Sequence, residues 1–354
     1  MTSALLALTR DSGSAGLDQA RALVAARLES LGYRVELQPF RCTAAALVPL
    51  WLAGMGLGWL ALALAPLLAH PAPPGWLALA LWVGGIGSLA LAAVGAVSGQ
   101  GPSTWAGPPR EDANLIATRS PAVSRWIVAH LDTKAQGHSM AGRLVALWVM
   151  LLAVLVLTGC VVLRLGGPLP AWGAAGAAAL GVGAGALASR GRLRGSTPGA
   201  RDNGSGVVAA LTAAERMRDP SVGLLFTGAE ELGLIGARLL ARSRPELFTG
   251  SVVVNLDTLD DRGPLWIVHH DEPGRELADR EATRLAGLGF EIRRRRLPLG
   301  ILTDSLAFAR AGVPAITIAR LDWETLRLLH TPRDRSDTLA LVTAEQVGRA
   351  LAEN

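Results

Sequence analysis

Apolar and polar positions are unevenly spread along this 354-residue chain. Four blocks, about residues 43–69, 75–97, 143–165 and 170–189, are almost purely apolar, and each is long enough to cross a bilayer as a helix. The first two are separated by His70-Pro-Ala-Pro-Pro-Gly and the last two by Arg164-Leu-Gly-Gly-Pro-Leu, so they read as two transmembrane hairpins. The fourth block is rich in Ala and Gly, which suits close packing against a neighbouring helix. Buried helices of a large soluble core are the blander alternative, but uncharged blocks this long are uncommon there.

The remaining segments change period. "SALLALT" near the start is short and runs at once into polar residues, unlike a secretory leader. Residues 17–32 carry apolar positions at helical spacing, and YRVELQPF then alternates like a strand. Past residue 200, helix and strand patterns take turns: helices at 206–217, 232–243 and 273–288, strands at 222–226, 250–257, 264–268 and 314–318. This alternation predicts an α/β fold with a mainly parallel mixed sheet flanked by helices. The implied organisation is 1–42, 98–142 and 190–354 for one polar domain, interrupted by hairpins at 43–97 and 143–189.

Composition sharpens the picture. Half the residues are apolar and only 18% charged, so the charges concentrate in the polar domain. The net charge of +5 does not point to nucleic acid, because acidic and basic residues are interspersed and Tyr and Phe are scarce. The hairpin turns carry only Arg164, whereas Arg41, Arg110, Lys134, Arg143, Arg190, Arg192 and Arg194 flank the spans on the side of the polar domain. The positive-inside rule therefore predicts an integral membrane protein with a cytoplasmic polar domain. Cys42 and Cys160 match no disulfide or metal framework, and no feature specifies an oligomeric state.

Five short motifs carry candidate chemistry. The strand Arg125-Trp-Ile-Val-Ala-His130 ends in His130-Leu-Asp132, at the edge where open α/β sheets hold ligands. Period-two spacing puts Asp132 on the side of His130, where its carboxylate can accept the second imidazole N–H. Asp202-Asn203-Gly-Ser-Gly leads into a helix, and capping that helix is its bland role. Glu230 and Glu231 follow an apolar strand at the predicted start of a helix, where acids are also welcome for electrostatic reasons alone. Asn255-Leu-Asp257 ends a further apolar strand, and His330-Thr-Pro-Arg-Asp334 lies in a loop before the last helix. Together the set offers two imidazoles and three carboxylates beside a spare Glu, donors that suit two zinc ions sharing one carboxylate. Arg293–Arg296 can meet an acidic group or form a solvated or membrane-facing basic strand, and His138, His269 and His270 read as surface residues.

In this order HLD, DNGSG, GAEELGLIG, NLD and HTPRD resemble the M28 family of metallopeptidases, as do LESLGYRVELQPF and TDSLAFARAGVPAI. The resemblance covers nearly all the polar segments and none of the apolar blocks. It implies an aminopeptidase acting on peptides through two zinc ions, and the same nitrogen and oxygen donors accept cobalt or manganese. Asp202 would bridge the metals, His130 and Asp257 would complete one, and Glu231 and His330 the other. Glu230 would be the general base acting on a metal-bridging water, Asp132 would support His130, and the peptide bond after Asp202 would be cis. Relatives often carry a His where this chain has Ser305, and many use a Tyr at the oxyanion, whereas Tyr33 is the sole tyrosine here. Two other readings share these motifs: a glutaminyl cyclase-like acyltransferase with a single zinc, and a non-catalytic membrane scaffold.

Overall fold

The structure, a computed structural model, describes residues 1–97 and 108–353; the stretch 98–107, where the expected segment 98–142 begins, lies outside them. The elements in chain order are α1 (Thr2–Ala7), α2 (Ala15–Ser30), β1 (Arg34–Cys42), α3 (Val48–Ala69), α4 (Gly75–Val97), β2 (Arg110–Thr118) and β3 (Arg125–His130). Then come α5 (Met140–Arg164), α6 (Ala171–Ser189), α7 (Gly206–Arg216), β4 (Val222–Thr227), α8 (Ile235–Ser243), β5 (Val252–Leu259) and β6 (Leu265–His269). The chain finishes with α9 (Glu272–Leu285), β7 (Ile292–Arg296), α10 (Asp304–Arg310), β8 (Ala315–Arg320), α11 (Trp323–Leu328) and α12 (Val342–Ala352). They form two compact units: unit 1 is Met1–Cys42, Pro109–Ala135 and Gly195–Asn354, and unit 2 is Thr43–Pro108 and Gln136–Arg194.

Unit 1 is a mixed eight-stranded sheet in the order β1-β2-β4-β3-β5-β8-β6-β7. Its centre, β4-β3-β5-β8, is parallel, because β3, β4 and most of β5 are buried apolar runs that need cover on both faces. One face packs Leu17, Val24 and Leu28 of α2 and Val207 and Leu211 of α7 against Ile127, Phe226 and Ile316. The other packs Trp126, Val128 and Leu225 against Leu240 of α8 and Phe308 of α10. Burying side chains of this size contributes about 1.5–3 kcal/mol each. The antiparallel strands β1, β2 and β6 extend the parallel core, and the arginine-rich β7 closes one edge. Of the arginines there, Arg294 pairs with Asp279, and Arg293 and Arg295 flank the Trp266 ring. β2 does not stand among the predicted strands, since it lacks clean alternation, whereas β7 is the basic strand expected at Arg293–Arg296.

Unit 2 consists of apolar helices. Trp51–Ala69, Met140–Arg164 and Ala171–Ser189 are long and apolar enough to cross a membrane, and Gly75–Leu91 is a shorter apolar stretch within α4. Small residues let α3 and α6 approach closely: a Cβ on Gly185 would lie 2.4 Å from the Gly54 carbonyl oxygen, and one on Gly181 2.4 Å from Ala61 Cβ. Arg164 is buried and donates to the carbonyl oxygens of Leu67, His70 and Pro73, satisfying the turn between α3 and α4. Trp59, Trp76, Trp148 and Trp172 stay largely exposed, an outward surface that water would penalise.

Candidate metal centre

Parallel strands deliver the candidate residues to one edge of the sheet. His130, the last residue of β3, stands in register with Thr227, the last of β4, so the turn after β4 begins beside the imidazole. That turn holds Glu230 and Glu231. It is tight: Ala229 and Leu234 adopt φ of 51° and 60°, and Leu234 N–H donates to the Glu230 carbonyl at 2.7 Å. The predicted helix from Leu232 begins only at Ile235, because the left-handed Leu234 breaks the pattern. Both acids thus sit in a turn rather than on a helix.

Asp132 braces this turn. Its two carboxylate oxygens accept the N–H groups of Glu230 and Glu231, each at 3.0 Å. The nearest acceptor for His130 Nδ1–H is the Asp132 backbone carbonyl at 3.0 Å, with the carboxylate at 3.7 Å. Either partner leaves Nε2 free to face the other carboxylates.

Asp202 is carried by the kinked turn Ala200–Ser205, where φ −112° and ψ 91° take it out of helical geometry. The Asp202–Asn203 peptide is cis. Asn203 ties the turn to β5 by donating to Leu256 O at 2.8 Å and accepting from Thr258 N at 3.2 Å. Asp257 lies in β5, and His330 follows α11 with φ of 62°.

These residues meet. His130 Nε2 lies 3.2 Å from Asp202 Oδ1 and 3.8 Å from Asp257 Oδ1. His330 Nε2 lies 3.1 Å from Asp202 Oδ2 and 3.5 Å from Glu231 Oε2. His130, Glu230 and Asp257 each bring a ligand atom within 4.8 Å of the others, and so do Asp202, Glu231 and His330. All six are buried. The chemistry fits divalent ions such as zinc: oxygen and imidazole donors without a thiol, crowded where water cannot screen them. Glu231 Oε1 is buried with no hydrogen-bond partner, an orphan that a cation would satisfy.

The electrostatics follow from burial. Burial, helped by Glu231, Asp304 and Asp257, raises the Glu230 carboxyl well above its usual range, with His130 opposing. Burial also lifts Asp257, and it pushes Asp304 up to about 7. At Asp202 the two imidazoles overcome burial and hold the carboxylate well below the usual range. For His130, burial works against charge, but Glu230, Asp132, Asp202 and Asp257 outweigh it and raise the pKa.

The structure adds residues that the motifs did not single out. Lys134, two positions after Asp132, places Nζ 2.5 Å from Glu231 Oε2; an ammonium so close to a His-x-Asp strand end was the available signal. Arg10 is fully buried and donates to the carbonyls of Leu131, Pro198 and Gly199, joining the backbones behind His130 and Asp202. Nothing in its local sequence marks it. Asp304 meets Thr227 Oγ1 by a short hydrogen bond, and Ser305 bonds to His270 Nε2 at 2.7 Å. His269 and His270, expected at the surface, are instead buried and half-buried, because β6 is an interior strand paired on both sides.

Known proteins share this architecture. An aminopeptidase from Aneurinibacillus sp. strain AM-1 is similar over 98% of this chain and 90% of its own, with a TM-score of 0.56 and 15% identity. A zinc aminopeptidase from Bacillus subtilis is similar over 99% and 93%, with a TM-score of 0.57 and 16% identity. A glutaminyl cyclase from Fimbriiglobus ruber is similar over 99% and 91%, with a TM-score of 0.57 and 15% identity. At such identities the likeness speaks for the fold alone. No curated protein matches the sequence. The model of Peptidase family M28 matches residues 181–354, the portion carrying Asp202, Glu230, Glu231, Asp257 and His330, so that this part of the chain is similar to Peptidase family M28.

Proposed function

We propose that this chain is a membrane-anchored, metal-dependent aminopeptidase, hydrolysing the N-terminal residue from peptides at the centre formed by His130, Asp202, Glu231, Asp257 and His330. The observation that carries the reading is the pair of Asp202 oxygens, each facing a different imidazole at 3.2 and 3.1 Å. A carboxylate so placed can be shared by two ions, with His130 and Asp257 on one side and Glu231 and His330 on the other. Two zinc ions, or cobalt or manganese in their place, would supply acidity to a bound water and polarise the scissile carbonyl.

The chain's own residues do the rest. Glu230 is the general base: burial raises its affinity for protons, so it can take one from the attacking water and return it to the leaving amine. Asp132 holds the Glu230 backbone in place through the N–H bond at 3.0 Å. Buried surroundings keep bulk water from competing with the reacting groups.

The helices of unit 2 act as four spans with the peptidase unit in the cytoplasm. Two of them, α5 and α6, lie between His130 and Asp202 in the chain, an even number that returns the backbone to the same side of a bilayer. The basic flanks support the cytoplasm as that side.

The deciding measurement is metal content of the detergent-purified chain together with release of N-terminal residues from aminoacyl reporters, repeated with Asp202→Ala. Near two ions per chain, with activity lost in the variant, is the expected result. One ion, with cyclisation of an N-terminal glutamine and no hydrolysis, would replace this reading by a glutaminyl cyclase. Neither metal nor turnover would leave a membrane scaffold.

A further inference from the structure

Lys134 has no part in the scheme above, yet it is buried inside the donor set. Its ammonium lies 2.5 Å from Glu231 Oε2 and 3.4 Å from the Glu231 carbonyl oxygen. The same Oε2 is 3.5 Å from His330 Nε2, whereas Oε1 has no partner. No equivalent cation pairs with Asp257 among the described residues; its only such neighbour there is His130.

We propose that Lys134 is a built-in counter-cation that makes the two halves of the centre unequal. It positions Glu231 by occupying Oε2 and leaves Oε1 as the open donor. At the same time its fixed charge repels a divalent ion from the Asp202, Glu231 and His330 half. The inference rests on the reading of these residues as ligands. Two effects of the lysine oppose each other. Pinning one carboxylate spares the ordering of a single side chain, a small gain. A unit charge buried beside a divalent ion acts through a poorly screening medium, and that repulsion outweighs the gain from ordering. The net result is a weaker half that fills second.

The test is titration of the full-length, detergent-purified, metal-stripped chain with cobalt(II), read by equilibrium dialysis and by the visible bands of bound cobalt. Wild type should take one ion tightly and a second more weakly by about tenfold or more. In Lys134→Gln, which keeps a donor for Glu231 but no charge, the weak ion should tighten by about tenfold or more. Lys134→Met, which removes donor and charge together, should tighten it as well and guards against a folding defect peculiar to one variant. Two equal affinities in wild type, or an unchanged or weaker second ion in both variants, would overturn the proposal while leaving the ligand assignment intact. No cobalt uptake by wild type would overturn the ligand assignment, and this proposal with it.

Discussion

Asp334 accepts the backbone N–H of Asp202 at 3.1 Å through Oδ2, while its other oxygen accepts the N–H of Arg201 at 2.9 Å. The carboxylate placed between the two imidazoles is thus held from behind by a second one. Asp334 is itself fully buried, and the Arg201 guanidinium lies 3.5 Å from its carboxylate.

Replacing Asp334 with Ala should therefore free the turn that carries Asp202. Two buried N–H groups would lose a charged acceptor, at a cost of about 1–3 kcal/mol each. Metal affinity should fall by about 10–100-fold, the range seen when a group supporting a ligand is removed. Metal content after dialysis against a graded chelator measures this. Retention equal to wild type would show that Asp202 needs no such brace.

Glu230→Gln keeps the shape of the side chain and removes its ability to take a proton. Turnover should drop by about 10²–10⁴-fold with metal content unchanged. Steady-state kinetics together with metal analysis of the same sample separates this from a loss of metal. Wild-type turnover would exclude Glu230 as the base.

The α3–α6 contact predicts an asymmetry between two glycines of one helix. A Cβ at Gly185 would meet Gly54 O at 2.4 Å and Gly58 N at 3.0 Å, whereas at Gly176 nothing lies within 4 Å. Gly185→Leu should destabilise by at least about 1–3 kcal/mol. Gly176→Ala should be neutral or gain up to about 1 kcal/mol from helix propensity. Thermal midpoints of the two variants in one detergent would decide.

Cys42 supplies a pH-dependent test. Burial first, with Asp112 and Asp132 adding, pushes its thiol up from 9.0 to about 12. Between these values the folded chain holds one proton more than the unfolded chain. Its contribution to stability therefore falls as pH rises through this window. In a Cys160→Ser background, Cys42 should resist a maleimide at about pH 8, below the usual thiol pKa, until the protein is denatured. Cys42→Ala should flatten the alkaline loss of stability. Rapid labelling of the folded protein would contradict the burial.

Much of this was legible before any coordinates. The apolar runs before His130, Thr227 and Asp257 left little choice but a buried parallel sheet, and the chemistry had to lie where those runs stopped. What stayed hidden depends on three-dimensional approach. Arg10 looks like any arginine after a short apolar stretch, and only the fold brings the carbonyls of Leu131 and Gly199 to it. Arg293–Arg296 read as a basic strand, but only the pairing of β7 with β6 fixes it at the edge of the sheet. The seat of Glu230 and Glu231 was misjudged by a few residues, since the left-handed backbone at Leu234 is invisible to hydrophobic periodicity.

The placement of α5 and α6 between His130 and Asp202 also sets an order of events in time. During synthesis the chain makes one imidazole, then two long apolar helices, and only afterwards Asp202, Glu231, Asp257 and finally His330. These five side chains cannot come together until the most hydrophobic part of the molecule has already left the ribosome. On the membrane-anchored reading proposed above, delivery to the lipid and closure of the polar unit are thereby separated, with delivery first.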